Sequence, residues 1–278
     1  MNICILIPVH NRIEITKEGL KHLVKAIEPN KDIDYSIILV DDGSTDGTEN
    51  WVKFNYPDVI ILKGDGSLWW SGAINIGAKY AINKLNADYI ILWNDDVEPS
   101  SDYFSTLIHY LNQAEKNELI GSLVKDKTTN KNWFCGAFYN KYFGYVRHLT
   151  KDVYPNKTNC LTGMGTIIPS KVIEEIGYWD NKNFPQYYGD LDFTLRAHES
   201  NFKLSVKTNL VIFNKTEHSS FNHKMELKNY RSSLNKIQSR YNIKIESRFH
   251  KKHSKTPLWR LTMLLKHLIY LNKNIIKQ

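Results

Sequence analysis

Through residue 98, short apolar runs alternate with longer stretches in which apolar residues recur every third or fourth position. The runs at 3–9, 36–40, 59–62 and 89–93 are too short for helices and rich in Ile and Val, which predicts buried strands. The stretches at 16–27, 46–54 and 72–85 carry a helical period; in the first, Leu20, Leu23, Val24 and Ile27 share one face. Strand–helix alternation of this kind predicts an α/β unit with a parallel sheet and right-handed crossovers. Beyond Asp96 the pattern becomes irregular. It predicts a helix at 102–114, a strand at 119–124, a loop-like aromatic passage at 128–154, a strand at 161–169, helices at 171–177 and 190–200, and a strand at 204–213. No internal repeat or low-complexity segment interrupts it.

In open α/β sheets, ligands bind beyond the carboxyl ends of the strands. The first strand ends in Pro8-Val9-His10-Asn11-Arg12, and the second runs into Asp41-Asp42-Gly43-Ser44-Thr45-Asp46-Gly47. The third ends in Gly64-Asp65-Gly66 and the fourth in Asn94-Asp95-Asp96. Three of four strands thus deliver carboxylates to one sheet edge, where they repel unless something cationic or hydrogen-bonding is bound. Mg²⁺ or Mn²⁺ with a nucleoside diphosphate satisfies such an edge, since both ions take oxygen ligands together with phosphate oxygens. Each acidic piece alone could be a turn or a helix cap, and Thr45 or Asp46 is expected to cap the second helix.

Ile7–Arg12 (IPVHNR), Val40–Thr48 (VDDGSTDGT) and Trp93–Val97 (WNDDV), in that order and spacing, resemble the bacterial family 2 glycosyltransferases. Gly64–Gly72 (GDGSLWWSG), with Asn75 and Gly77, is similar to a branch acting on surface polysaccharides. The resemblance covers about residues 3–220 and implies the GT-A fold: a mostly parallel, Rossmann-like sheet flanked by helices. Residues 1–98 would form the nucleotide-sugar half and 99–220 the acceptor-binding, catalytic half. It further implies Pro8 and His10 in the nucleoside pocket, Arg12 at the donor, Asp42 on the base, Asp95 on the sugar nucleotide and Asp96 on the metal. The donor would be a sugar nucleotide, with UDP or dTDP favoured. Many members carry Arg-Asn where this chain has Ile74-Asn75, so a nucleotide-facing Arg is missing.

An inverting transfer needs a carboxylate to take the proton of the attacking hydroxyl. In Pro185–Arg196 (PQYYGDLDFTLR), Asp192 and Arg196 are spaced as an ordinary helix ion pair. Asp190, at the helix start, is either a cap or the base. The family's Glu-Asp-x-Asp motif implies the base, with Gly189 standing where the usual Glu would be. The resemblance also implies a third metal ligand from His218, with His223 as its competitor. Gly163, in Thr162-Gly-Met-Gly165, suits close approach of backbone to the donor sugar, or a tight bend. Gly66 belongs to the donor loop, and Trp70 could stack on a sugar face.

The formal net charge of +8 is unevenly distributed. Residues 221–278 hold 14 Lys/Arg against Glu226 and Glu246, a net of +12, so residues 1–220 carry −4. The 257–276 segment is apolar, basic and helical in pattern. Residues 248–278 therefore predict a peripheral contact with anionic lipid at the inner face of the plasma membrane. The alternatives are docking on the catalytic body or on a second protomer, making a homo-oligomer. No nucleic-acid motif accompanies the charge. Three unclustered cysteines and the lack of a leader-like or membrane-spanning run point to the cytoplasm. The sequence therefore predicts a metal-dependent, inverting glycosyltransferase that extends a bacterial glycan, lipid-linked or free. A sugar-phosphate nucleotidyltransferase and a non-catalytic nucleotide- or membrane-binding protein are the alternatives.

Overall fold

The structure, a computed structural model, describes residues 1–30, 33–113, 117–149, 157–214 and 226–272. β1 (Asn2–Val9), β2 (Asp34–Asp41), β3 (Ile60–Lys63) and β4 (Tyr89–Leu92) pair in parallel in the order β3-β2-β1-β4. α1 (Ile13–Ile27), α2 (Thr48–Asn55) and α3 (Trp69–Leu85) connect them. Ile3 to Ile7 are buried without alternation, as expected for a strand covered on both faces. α1 buries Gly19, Leu20, Leu23 and Ala26, the face its sequence period predicted. Asp46 caps, but from outside α2. Its carboxylate accepts the Thr48 N–H at 3.1 Å and the Ile13 N–H at 2.8 Å, so one side chain ties together the starts of two helices.

The second half supplies the antiparallel strands of the expected mostly parallel sheet. β5 (Val97–Pro99), α4 (Tyr103–Gln113) and β6 (Glu118–Asp126) lead on to β10 (Thr166–Pro169), α5 (Ser170–Ile176), α6 (Gly189–Glu199) and β11 (Lys203–Asn214). β10 lies antiparallel between β4 and β6, and β5 lies antiparallel on β11, giving the order β3-β2-β1-β4-β10-β6-β11-β5. The strand expected at 161–169 shortens to β10, because the chain bends through Gly163 and Gly165 before entering the sheet. The passage expected as a loop contains β7 (Asn132–Phe134), which pairs with β6, and a hairpin of β8 (Ala137–Asn140) and β9 (Tyr145–His148). Alternate burial of Ala137 and Tyr139 is the strand signal in that aromatic-rich stretch.

The segment after Glu226 is helical, as the expected C-terminal helical extension requires. It forms α7 (Leu227–Ser233), α8 (Ile243–His253) and α9 (Trp259–Leu271). Asn242 caps α8 by accepting the Ile245 N–H at 3.0 Å. α8 packs one face on the body. Phe249 is fully buried against Tyr139, Phe184 and Tyr188, and His253 and Lys252 reach the buried Asp192 at 2.8 and 2.7 Å. The expected Asp192–Arg196 pair is present at 3.0 Å, and Arg196 also donates to the carbonyls of Ile176 and Tyr178. One face of 248–256 is thus docked on the body through Phe249, Lys252 and His253, while Arg248, Lys251 and Lys255 stay exposed.

Candidate active site

The parallel register sets Val9 beside Asp41 and Leu6 beside both Ile38 and Leu92, so three strand ends open on one edge. Pro8 is half-buried there, and the Asp42 N–H donates to the Val9 carbonyl at 2.9 Å. His10 donates from Nδ1 to the Asp42 carbonyl at 2.6 Å, while Asn11 Nδ2 approaches its Nε2 at 3.1 Å. The carbonyl partner fits a ring that carries a proton on Nδ1. The Asp42 carboxylate clasps the loop after β3, accepting the Gly66 N–H at 2.8 Å and the Trp69 N–H at 3.0 Å. Each of its oxygens keeps a second lone pair for a ligand.

Arg12 crosses the mouth of the site. Its guanidinium lies 3.3 Å from Asp95 and 3.0 Å from Asp96. Asp95 is buried and also accepts from Thr16 Oγ1 at 3.1 Å. Burial pushes its carboxyl up to about 6; Arg12 pulls it down and neighbouring Asp96 pushes it up further. The sequence marked Arg12 as a donor contact but gave no sign that it pairs with both acids.

Asp190 lies on the first turn of α6. It is not a simple cap, since Tyr188 holds the cap position. Its Oδ2 accepts the Gly163 N–H at 3.0 Å and its Oδ1 the Leu191 N–H at 2.8 Å. Burial raises its carboxyl above the ordinary range, and these backbone donors oppose the rise. Gly163 is required by contact: a Cβ there would lie 2.4 Å from Cζ2 of Trp70. Trp70 in turn points Nε1 at Asn94 Oδ1, 3.4 Å away. Trp70 therefore spans from the backbone that holds Asp190 to the residue preceding Asp95.

Of three residues that the sequence did not mark, Ser71 and Gln186 hold the two halves together and Thr16 holds Asp95 within the first. Ser71 donates its N–H to the Pro185 carbonyl at 2.8 Å and its hydroxyl to the Phe184 carbonyl at 2.6 Å. Gln186 accepts the Trp70 N–H at 3.2 Å. Thr16 is the third, and a polar residue on the buried face of α1 is the signal that could have found it. Trp69 and Tyr188 flank this joint with φ of +55° and +69°, left-handed values that cost bulky residues about 1–2 kcal/mol each. Asn75, which the resemblance implies at the donor, lies at a second joint between the halves. Its amide brackets the Trp179 backbone, accepting the N–H at 2.9 Å and donating to the carbonyl at 2.8 Å. That bracket accounts for both ends of its side chain. His218 and His223 lie outside the described residues.

A family model described as "Glycosyl transferase family 2" matches residues 4–177, more than half of the chain. The chain belongs to glycosyl transferase family 2. This family 2 chain is 22% identical over 198 residues to the low-salt glycan biosynthesis hexosyltransferase Agl10 of Haloferax volcanii. That match covers 68% of the chain and 60% of the relative, so the chain spans under two-thirds of the relative's length. Among solved structures, it superposes on the mannosyltransferase PcManGT of Pyrobaculum calidifontis, in complex with GDP-Man and Mn²⁺, with a TM-score of 0.62. Identity there is 12%, covering 98% of this chain and 70% of that one. It superposes also on S. aureus TarS 1–349 in complex with UDP-GlcNAc, with a TM-score of 0.57 and 16% identity, covering 97% and 78%. The expected GT-A architecture is the fold shared with these glycosyltransferases.

The family 2 site suits a divalent cation. Asp96 Oδ1 is buried with no hydrogen-bond partner, an acceptor left open beside the Arg12 pair. Both Asp95 and Asp96 offer hard oxygen, the donor type of Mg²⁺ and Mn²⁺. Among the described residues no three His, Cys, Asp or Glu side chains gather as a cage. One or two carboxylates completed by phosphate oxygens is the arrangement such ions take at nucleotide sites.

Proposed function

We propose that the protein is an inverting glycosyltransferase that moves a sugar from a nucleoside-diphosphate sugar to a hydroxyl of a growing bacterial cell-surface glycan. The observation that carries this reading is the contact chain from Asp190 through Gly163 and Trp70 to Asn94. It links a held, partly desolvated carboxylate to the acidic strand ends. The relative's printed role in glycan biosynthesis supports the acceptor class, and the nucleotide sugars in the superposed structures support the donor class.

In this reading Pro8, His10 and Asp42 bound the nucleoside, and Asp95 and Asp96 would hold a divalent ion against the diphosphate. Where bound, that ion supplies positive charge to the leaving group. Arg12 exchanges its carboxylate partners for phosphate oxygens, which its planar guanidinium recognises equally well. The acceptor oxygen attacks the anomeric carbon as the bond to the diphosphate oxygen breaks, and its proton passes to the Asp190 carboxylate. Trp70 lies over the backbone beside that carboxylate and excludes water from one side. His218 remains the proposed third metal ligand.

The test is to incubate the purified protein and Mn²⁺ with UDP-, GDP- and dTDP-sugars, with and without acceptor glycans. Release of the nucleoside diphosphate, lost in Asp190→Asn and Asp96→Asn, is the expected result. No turnover of any donor would sink the reading.

A further inference from the structure

α9 has two faces of opposite character. Trp259, Met263, Lys266, His267 and Tyr270 fall within an arc of about 100° and contact the body. Tyr270 stacks on Tyr230 at 4.9 Å, Trp259 on His250 at 5.9 Å, and Lys266 reaches Glu246 at 2.5 Å. Leu258, Leu261, Leu264, Leu265, Leu268 and Ile269 fill the opposite arc and are 45–56% exposed. A continuous stripe of this kind on a soluble surface marks a contact site. Beside its first turn, the β8–β9 turn adds Tyr142 and Phe143, both more than half exposed. That turn is fixed to the start of α9: the Lys255 N–H donates to the Lys141 carbonyl at 2.8 Å, and Thr256 bonds the Tyr142 carbonyl.

Charge selects the occupant. From Ser247 to Gln278 the sequence has eight Lys/Arg and no acid, and Lys255 and Arg260 are exposed next to the stripe. A second copy would bring the same excess of positive charge to the contact, whereas anionic lipid complements it. No described helix is long and apolar enough to cross a membrane, so the fitting geometry is a helix lying in the surface. We propose that α9, with the Tyr142–Phe143 turn, seats the protein on anionic lipid, leucine face inward and basic flanks toward the headgroups. The proposal uses no residue of the catalytic site and does not rest on the transferase reading.

Flotation of the full chain tests it, with vesicles of phosphatidylcholine alone and of an equal mixture with phosphatidylglycerol. The expected result is binding to the mixed vesicles that weakens with salt, and little binding to the neutral ones. Leu264→Glu/Leu268→Glu, at two exposed positions, lowers the bound fraction roughly tenfold with an unchanged melting curve. Arg260→Glu, which reverses one exposed charge beside the stripe, lowers it several-fold. Equal binding to neutral vesicles would overturn the proposal, as would binding indifferent to the double substitution. So would a wild-type dimer in light scattering that the double substitution converts to monomer.

Discussion

The hydroxyl of Ser71 fills the space in front of Gly189: a Cβ at 189 would lie 2.1 Å from Ser71 Oγ and 3.2 Å from the Phe184 carbonyl. The residue that departs from the family motif is thus matched by a small neighbour on α3. Gly189→Ala is expected to cost about 1–3 kcal/mol through overpacking. Ser71→Ala in the same chain should recover at least ~0.5 kcal/mol of the sum of the two single effects. Urea unfolding of the four proteins in the cycle measures the coupling, and strict additivity would refute the pairing.

Arg12 holds the charge position that a divalent cation would need between Asp95 and Asp96. Arg12→Ala should therefore strengthen binding of Mn²⁺ alone by about fivefold, equivalent to ~1 kcal/mol for a half-exposed pair. Electron paramagnetic resonance of free Mn²⁺ in a titration without nucleotide reads this directly. Weaker binding of the ion alone in the variant would mean that Arg12 aids the acids rather than competing for them.

For Asp190, the carboxyl is raised by burial, and the base role requires it ionised. Turnover should fall as pH drops through its pKa, with the acidic limb above the ordinary Asp value of about 4. Asp190→Asn is expected to lower turnover by about 10²–10⁴-fold with donor affinity kept. An acidic limb unchanged in a variant that retains turnover would assign the proton to another group.

Glu246 is buried on α8. Burial raises its carboxyl, but hydrogen bonds from His250 and His267 and the charge of Lys266 outweigh this, leaving it well below the usual range. A depressed folded-state pKa gives stability that is full above the unfolded value of about 4.3 and lost as pH falls below it. Glu246→Gln should cost about 2 kcal/mol near neutral pH and flatten that acid-side slope. Melting temperatures from neutral pH down to below about 4 check both.

The first four strands and three helices were legible because each strand contains a short apolar run and each helix keeps one period. The acidic strand ends were legible for the same reason, since every strand stops where its apolar run stops. β8 and β9 were hidden because Trp133, Tyr142 and Phe143 broke the alternation with exposed or half-exposed aromatics. α8 was hidden because its basic residues read as solvated. Lys252 and His253 are held by Asp192, sixty-odd positions earlier, and no local pattern reports that distance. Ser71, Gln186 and the bracket at Asn75 escaped for the same reason: their partners lie on a different element of the sheet's other half.

β10 runs antiparallel between β4 and β6, so the last parallel strand of residues 1–98 finds its neighbour only after the chain has travelled through β5, α4 and β6 to β9. Cutting near residue 98 would leave β4 an open edge and strip α3 of the Phe184 and Pro185 carbonyls and the Gln186 side chain it bonds. The two halves are therefore not interchangeable cassettes. A hybrid that borrowed its donor side from one relative and its acceptor side from another would have to inherit β10 and the Ser71 joint as a matched set. Specificity on either side is then expected to diverge through loops, with the seam between them preserved.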